Sequence, residues 1–153
     1  KIKIFKVLAS DFGVPQARKR VFFVGLRDKK DMVLPKGKYV NNQVTSSMAI
    51  SDLPLLNGLL GEFKQNYPSD PKNEYQIEMR KESGFIWNHE SVDHKQKTID
   101  IIKMVPDGGN YKDLPKVLWD TRKVNIAWTR MNSGKPCFTI DAGHNHHFHY
   151  IHH

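Results

Sequence analysis

A single cysteine, Cys137, is all that this chain of 153 residues offers to sulfur chemistry. No internal disulfide can form, which suits a reducing compartment and points to the cytoplasm. Long apolar runs are also missing: nothing approaches the ~20 consecutive apolar residues of a membrane helix. No signal-peptide pattern opens the chain. Acidic residues are few beside basic ones, 16 Asp+Glu against 24 Lys+Arg, and the resulting net charge of +8 favours a polyanionic partner. A solvated basic surface would carry the same charge. Only 39% of the residues are hydrophobic, so the core is modest, although the length suffices for one domain that buries roughly 70% of its unfolded surface. Internal repeats are absent, and the only biased tract is the histidine-rich end.

What is present begins with the first 27 residues. Val21-Phe22-Phe23-Val24-Gly25-Leu26 is β-branched and aromatic, short, and bounded by charges, as expected of a strand covered on both faces. Ile2-Lys3-Ile4-Phe5-Lys6-Val7-Leu8 reads as its neighbour. Between them Gly13 can take positive φ and Pro15 holds φ near −65°, which predicts a defined turn presenting Gln16, Arg18 and Arg20 at the mouth of the second strand. Alternation places Arg18 and Arg20 on one side. Two guanidinium forks beside a carboxamide suit phosphate oxygens and a base edge. Spacing alone is equally compatible with a solvated basic turn.

After Arg27 the composition shifts. Asp28-Lys29-Lys30-Asp31 and Pro35-Lys36-Gly37-Lys38 read as an exposed linker. A short helix is predicted from Ser46 or Ser47, either of which can cap it, through Met48-Ala49-Ile50, with Pro54 stopping the chain. Residues 53–60 read as an apolar turn and residues 63–73 as a loop. A second helix is predicted over residues 91–104, with Ile99, Ile101 and Ile102 as its buried stripe and Pro106 and Gly108 ending it. Residues 125–128 and 138–141 read as short strands on either side of the turn Asn132-Ser133-Gly134-Lys135.

Asp11-Phe12-Gly13-Val14-Pro15-Gln16-Ala17-Arg18-Lys19-Arg20, followed by Val21-Phe22-Phe23-Val24-Gly25, resembles the eighth motif of the DNA cytosine-5 methyltransferases, whose core is Gln-x-Arg-x-Arg. The resemblance continues in order. Ala49-Ile50-Ser51-Asp52-Leu53-Pro54 resembles the segment that follows the motif in many bacterial members, as do Tyr75-Gln76-x-x-Met79-Arg80, Asn88-His89 and His94. Gly108-Gly109-Asn110-Tyr111-Lys112-Asp113-Leu114-Pro115 resembles the Gly-Gly loop of the family's target recognition domain. Trp128-Thr129-Arg130-Met131 and Lys135-Pro136-Cys137-Phe138-Thr139-Ile140 resemble the elements that close that domain. Met131 stands where Leu is usual, a volume-conserving swap.

The resemblance implies an α/β chain: residues 1–57 as the end of the catalytic domain, with the terminal β-hairpin of a doubly wound sheet and a connector, and residues 58–153 as a small, loop-rich α+β target recognition domain. It implies double-stranded DNA as partner, S-adenosylmethionine as methyl donor, and a cognate restriction endonuclease system alongside. No membrane partner is implied, and the complete enzyme is expected to be a monomer in a bacterial or phage-infected cytoplasm. Arg20 and Arg18 would hold a flipped cytosine nucleotide and its phosphates, with Gln16 supporting the loop; flipping is needed because the target atom is unreachable in the stack. Thr139 would bond a backbone phosphate. The loops at Gly108-Gly109 and at residues 141–147 would enter the major groove, with Asn110, Lys112, Arg130, His144 and Asn145 as candidate readers of bases or phosphates. For Gly108-Gly109 a plain helix stop, and for Thr139 a strand preference, explain the residue types without DNA.

The family's Phe-x-Gly-x-Gly donor loop, its Pro-Cys nucleophile and its Glu-Asn-Val element belong before the Gln-x-Arg-x-Arg motif, and only fifteen residues precede Gln16. The chain is therefore read as an internal piece of a longer enzyme, inactive alone, whose missing part binds the methyl donor. Pro136-Cys137 imitates the nucleophile but follows the motif and lacks the flanking Gly and Gln, so Cys137 is expected to be a small, half-buried strand residue. The tail from His144 holds six of the eight histidines, without the spacing of a closed metal site; no metal is expected. A non-catalytic DNA-binding module or degenerate methylase is the alternative reading, and a metal-binding basic protein built on the tail is a more distant one.

Overall fold

The computed structural model describes residues 2–27, 32–56, 59–121, 129–140 and 149–150. Two short apolar runs place Ile2–Leu8 (β1) and Lys19–Gly25 (β2) in an antiparallel hairpin, in register from Ile2 opposite Gly25 to Leu8 opposite Lys19. The connection opens with a 3-10 turn, Ala9–Phe12, closed by Gly13 at φ 88°. A Cβ at Gly13 would also lie 2.8 Å from the Tyr39 ring. The expected cover on both faces of β2 is not found. Val21 and Phe22 are 50% exposed and Phe23 is 71% exposed, because β1 and β2 form a sheet by themselves among the described residues. Ile4 lies opposite Phe23, so Ile2, Ile4, Val21 and Phe23 share one bare apolar face.

Helix α1 (Ser46–Ile50) forms where expected, but Thr45 caps it: its Oγ1 accepts from the Met48 N–H at 3.2 Å. Ser46 and Ser47 do not cap. Ser46 is buried, and its hydroxyl bonds the distant carbonyls of Asn132 and Lys135.

Residues 63–73, expected to be a loop, begin in a strand. Gly61–Asn66 (β3) pairs antiparallel with Phe85–Glu90 (β4). β3 has no alternation of its own to betray it, and its partner supplies the ladder; Asn88 at φ 55° interrupts the pairing opposite Phe63. Between the strands lies α2 (Glu74–Arg80), capped by Asn73, whose side chain accepts from the Gln76 N–H.

Helix α3 (Gln96–Met104) starts later than Ser91. Ser91 is held outside it, its N–H and hydroxyl donating to the Leu60 and Leu59 carbonyls beside β3. Ile101 and Ile102 are buried as predicted, while Ile99 is half-buried. With Val105 and Leu114 they form the core cluster, against which Tyr111, Leu118 and Trp119 pack from the 3-10 turns Tyr111–Asp113 and Lys116–Thr121.

Thr129–Arg130 (β5) pairs in parallel with His149–Tyr150 (β6). Residues 138–140 are not a strand; the extended contact there is a single parallel bridge between Gln16 and Cys137. The predicted strand at 125–128, the Asp28-Lys29-Lys30-Asp31 linker and the loop at 141–147 lie outside the described residues. Two antiparallel pairs and one short parallel ladder, three two-stranded sheets in all, make the described part an α/β fold.

Candidate nucleic-acid interface

The ribbon over residues 129–140 ties three other segments together, and each attachment has a local cause. At its start, the Gly108 N–H donates to the Met131 carbonyl at 3.3 Å and the Arg130 N–H to the Gly109 carbonyl at 2.9 Å. The Gly-Gly loop is thereby laced to β5. In the middle, Asn132-Ser133-Gly134-Lys135 turns as predicted, with its own Lys135 to Asn132 bond. Ser46 and Ser47 of α1 dock on that turn through backbone N–H groups as well as the Ser46 hydroxyl. At its end, the Cys137 N–H donates to the Pro15 carbonyl at 3.0 Å and the Ala17 N–H to the Cys137 carbonyl at 2.7 Å.

That last attachment brings Gln16, Arg18 and Thr139 together. Arg18 is half-buried and donates from Nη1 to the Ile140 carbonyl at 3.3 Å. Thr139 is exposed and donates to the Ala17 carbonyl at 3.5 Å, the outer limit of a hydrogen bond. Arg20, at the start of β2, is exposed, and its Nη1 donates to the neighbouring Lys19 carbonyl at 2.7 Å. Burial pushes the Cys137 thiol up from its ordinary pKa, and the hydrogen bond with the Gln16 side chain opposes that only in part. Cys137 is therefore a buried neutral thiol at pH 7, without the depressed pKa of a nucleophile. Burial also raises the Tyr75 phenol, with the nearby Cys137 adding to the effect.

Both loop glycines are required sterically. Gly108 sits at φ 69°, and a Cβ there would lie 2.7 Å from Asn132 Nδ2. A Cβ on Gly109 would meet Pro106 at 2.6 Å and the Asp113 carboxylate at 2.8 Å. After them Asn110 closes a capping box: its Oδ1 accepts from the Lys112 N–H at 2.9 Å, and its own N–H donates to Asp113 Oδ2 at 2.8 Å. Lys112 is exposed.

Arg130 departs from the expectation of a surface reader. It is 5% exposed, donating from Nε to the Val105 carbonyl at 2.6 Å and from Nη2 to the Ile102 carbonyl at 2.5 Å. The end of a helix leaves carbonyl lone pairs to be satisfied from outside, and the guanidinium fork bonds both the Val105 carbonyl and the Ile102 carbonyl, which also accepts from the Val105 N–H at 3.1 Å. His144 and Asn145 lie outside the described residues.

Three features of the site were given no role by the sequence. Asp107 accepts from the Ser133 N–H at 2.9 Å and from its hydroxyl at 2.8 Å. Gln76, 1% exposed, bonds the Met48 carbonyl, the Ser51 hydroxyl and the Lys72 N–H. Arg80 grips Asp52 and lies over the Tyr67 ring at 3.7 Å. Asp52, Gln76 and Arg80 come from the two segments whose resemblance had no stated role.

A cleft of about 260 Å³ opens between α1 and the ribbon, lined by Ser46, Ser51, Asp107, Arg130, Met131 and Ser133 among others. It is smaller than the usual 300–1,000 Å³ of a cofactor pocket and has no glycine turn in its wall. It does not fit a nucleoside-sized methyl donor. Among the described residues no three His, Cys, Asp or Glu side chains cluster to hold a metal, and no helix is long and apolar enough to cross a membrane.

Residues 1–145 match the family described as C-5 cytosine-specific DNA methylase. The chain is 37% identical, over 73% of its length, to the type II methyltransferase M.DdeI of Desulfomicrobium norvegicum, of which it covers 28%. It is 27% identical over 98% of its length to M1.HphI of Haemophilus parahaemolyticus, covering 34% of that protein. A third relative, M.MthTI of Methanothermobacter thermautotrophicus, is 51% identical over 33% of the chain and is covered over 16% of its own length. The chain thus spans about a third or less of these relatives.

Proposed function

From the premise that the chain belongs to the C-5 cytosine-specific DNA methylase family, we propose that it supplies DNA binding and target recognition to an enzyme that methylates C5 of a flipped cytosine in a specific duplex sequence. C-5 cytosine DNA methylases of type II systems use S-adenosylmethionine as methyl donor. The cleft beside α1 does not fit it, so in this reading another part of the enzyme holds the donor and the nucleophile, and the chain alone transfers no methyl groups.

The observation that carries the proposal is the ribbon at 129–140, bonded at one end to the Gly108-Gly109 loop and at the other to the Gln16-Ala17-Arg18 turn. A rigid connection of this kind would let sequence reading at the loop be registered against nucleotide holding at the arginines. In the proposed division of labour, Arg20 and Arg18 hold the flipped nucleotide and its phosphates, and Gln16, bonded to Cys137, steadies the turn. Thr139 takes a backbone phosphate. Asn110 and Lys112, with His144 and Asn145 of the following loop, meet the major groove; there base-edge contacts specify sequence while phosphate contacts set register. The bare face of Ile2, Ile4, Val21 and Phe23 is where a helix of a doubly wound catalytic domain would pack, the remaining strands of its sheet joining at an edge of the hairpin. The complete enzyme would act in the cytoplasm as a monomer beside a cognate endonuclease.

Fluorescence anisotropy of a labelled duplex, titrated with the chain at several salt concentrations, tests this reading. Binding should weaken steeply and linearly in log[salt], with no methyl transferred when S-adenosylmethionine is added. Salt-independent binding would remove the interface, and methylation by the chain alone would overturn the division of labour.

A further inference from the structure

Arg130 is a cation in a protein proposed to bind a polyanion, yet its guanidinium is turned inward, at 5% exposure. Side-chain bonds from its guanidinium end on Ile102 and Val105, the last turn of α3 and the residue after it. Its own N–H ends on the Gly109 carbonyl. One residue therefore fastens the end of a packed helix and the middle of the Gly-Gly loop to the same point of β5. Pro106, Asp107 and Gly108 span the short distance between these two fastenings, and Asp107 is held from the side by Ser133. Ile101, Ile102 and Val105 are core residues, so the reference frame to which the loop is fastened is itself rigid.

We propose that Arg130 is a positioning residue for sequence discrimination: it sets the height of the Gly108-Gly109 loop over α3 without touching DNA. This rests on the reading of that loop as a recognition loop. Base-edge recognition depends on hydrogen bonds with tight distance and angle requirements, so a small displacement of the loop costs base contacts more than it costs long-range attraction to phosphates. Lysine at 130 keeps the charge and a donor but loses the fork that bridges two carbonyls.

The test uses the 153-residue chain and a pool of duplexes with a randomised central window. The chain is first used to select its preferred sequence; preference is then measured as the affinity ratio between that duplex and single-mismatch duplexes. Arg130→Lys should lower the ratio about ten-fold, while binding to an unrelated duplex and its salt slope stay as in the parent chain. The ratio does not depend on the fraction of correctly folded protein, so a role confined to stability leaves it unchanged. An unchanged ratio in the folded variant overturns the inference, and so does a salt slope reduced by about one, which would mark a direct phosphate contact. If Arg130→Lys does not fold, Ser133→Ala loosens the same loop from the exposed side. It should lower the ratio about three-fold, and no change there overturns the inference. Lys112→Ala and Asn110→Ala separate the two levels. If they too leave the ratio unchanged, the recognition-loop reading has failed; if they lower it and Arg130→Lys does not, only the role of Arg130 has.

Discussion

Arg80 holds one oxygen of Asp52 with two nitrogens, Nε at 3.0 Å and Nη2 at 2.7 Å, across 28 residues of sequence. Asp52 is 4% exposed, so its charge has little water to fall back on. The pair locks α2 to the turn after α1, and α1 is in turn docked on the ribbon that joins the two halves of the candidate interface.

Breaking this pair from one side leaves a buried carboxylate unpaired. Arg80→Met should destabilise the chain by about 3 kcal/mol, within the usual range for such losses, as read by urea unfolding followed by tryptophan fluorescence. The double variant Asp52→Asn with Arg80→Met should recover part of the loss, because no buried charge then remains. A loss in the double variant equal to the sum of the losses in the two single variants would show that the pair contributes no coupling.

Gly108→Ala forces a side chain into a left-handed backbone and against Asn132. A cost of about 1–2 kcal/mol is expected, together with weaker discrimination among duplexes. Gly84 is the control: no neighbour lies within 4 Å of a Cβ built there, and Gly84→Ala should be neutral within about 0.5 kcal/mol. Thermal melts of the two variants side by side decide the matter.

Cys137 should react slowly with a thiol-specific reagent at pH 8 in the native chain and rapidly after unfolding, since burial holds the thiol protonated. The linkage has a definite sign. A thiol whose pKa is raised in the folded state, and a phenol raised likewise at Tyr75, keep their protons longer folded than unfolded. Their contribution is complete below the unfolded thiol value of about 8.5 and is lost as pH rises through the folded values. Unfolding free energy measured from pH 7 to 10 should therefore decline at the alkaline end, and Cys137→Ser should blunt the earlier part of that decline.

Arg20 and Arg18 should separate in their effects. Arg20 is exposed and contacts a neighbouring carbonyl, so Arg20→Ala should leave the melting temperature almost unchanged. If it meets a phosphate, the salt slope of DNA binding falls by about 0.9. Arg18 also bonds the Ile140 carbonyl, and Arg18→Ala should lower both affinity and stability, the latter by about 1 kcal/mol. Unchanged affinity in Arg20→Ala would remove Arg20 from the interface.

Local pattern by itself determined the elements whose cause is local. The β1–β2 hairpin follows from two apolar runs around a Gly-x-Pro turn, α1 from a polar cap before Met48-Ala49-Ile50, the end of α3 from Pro106, and the turn at Asn132 from its composition. The ordered series of motifs also pointed to the family that residues 1–145 match.

Tertiary structure alone decided what depends on partners far along the chain. β3 is a strand because β4 pairs with it; Ser91 stays outside α3, engaged by the Leu59 and Leu60 carbonyls; Ser46 is buried because the 132–135 turn accepts its hydroxyl. Arg130 is the clearest case. Residue type says only that a guanidinium will find acceptors, and whether those are phosphates in water or carbonyls at a buried helix end depends on which surface the folded chain brings to it.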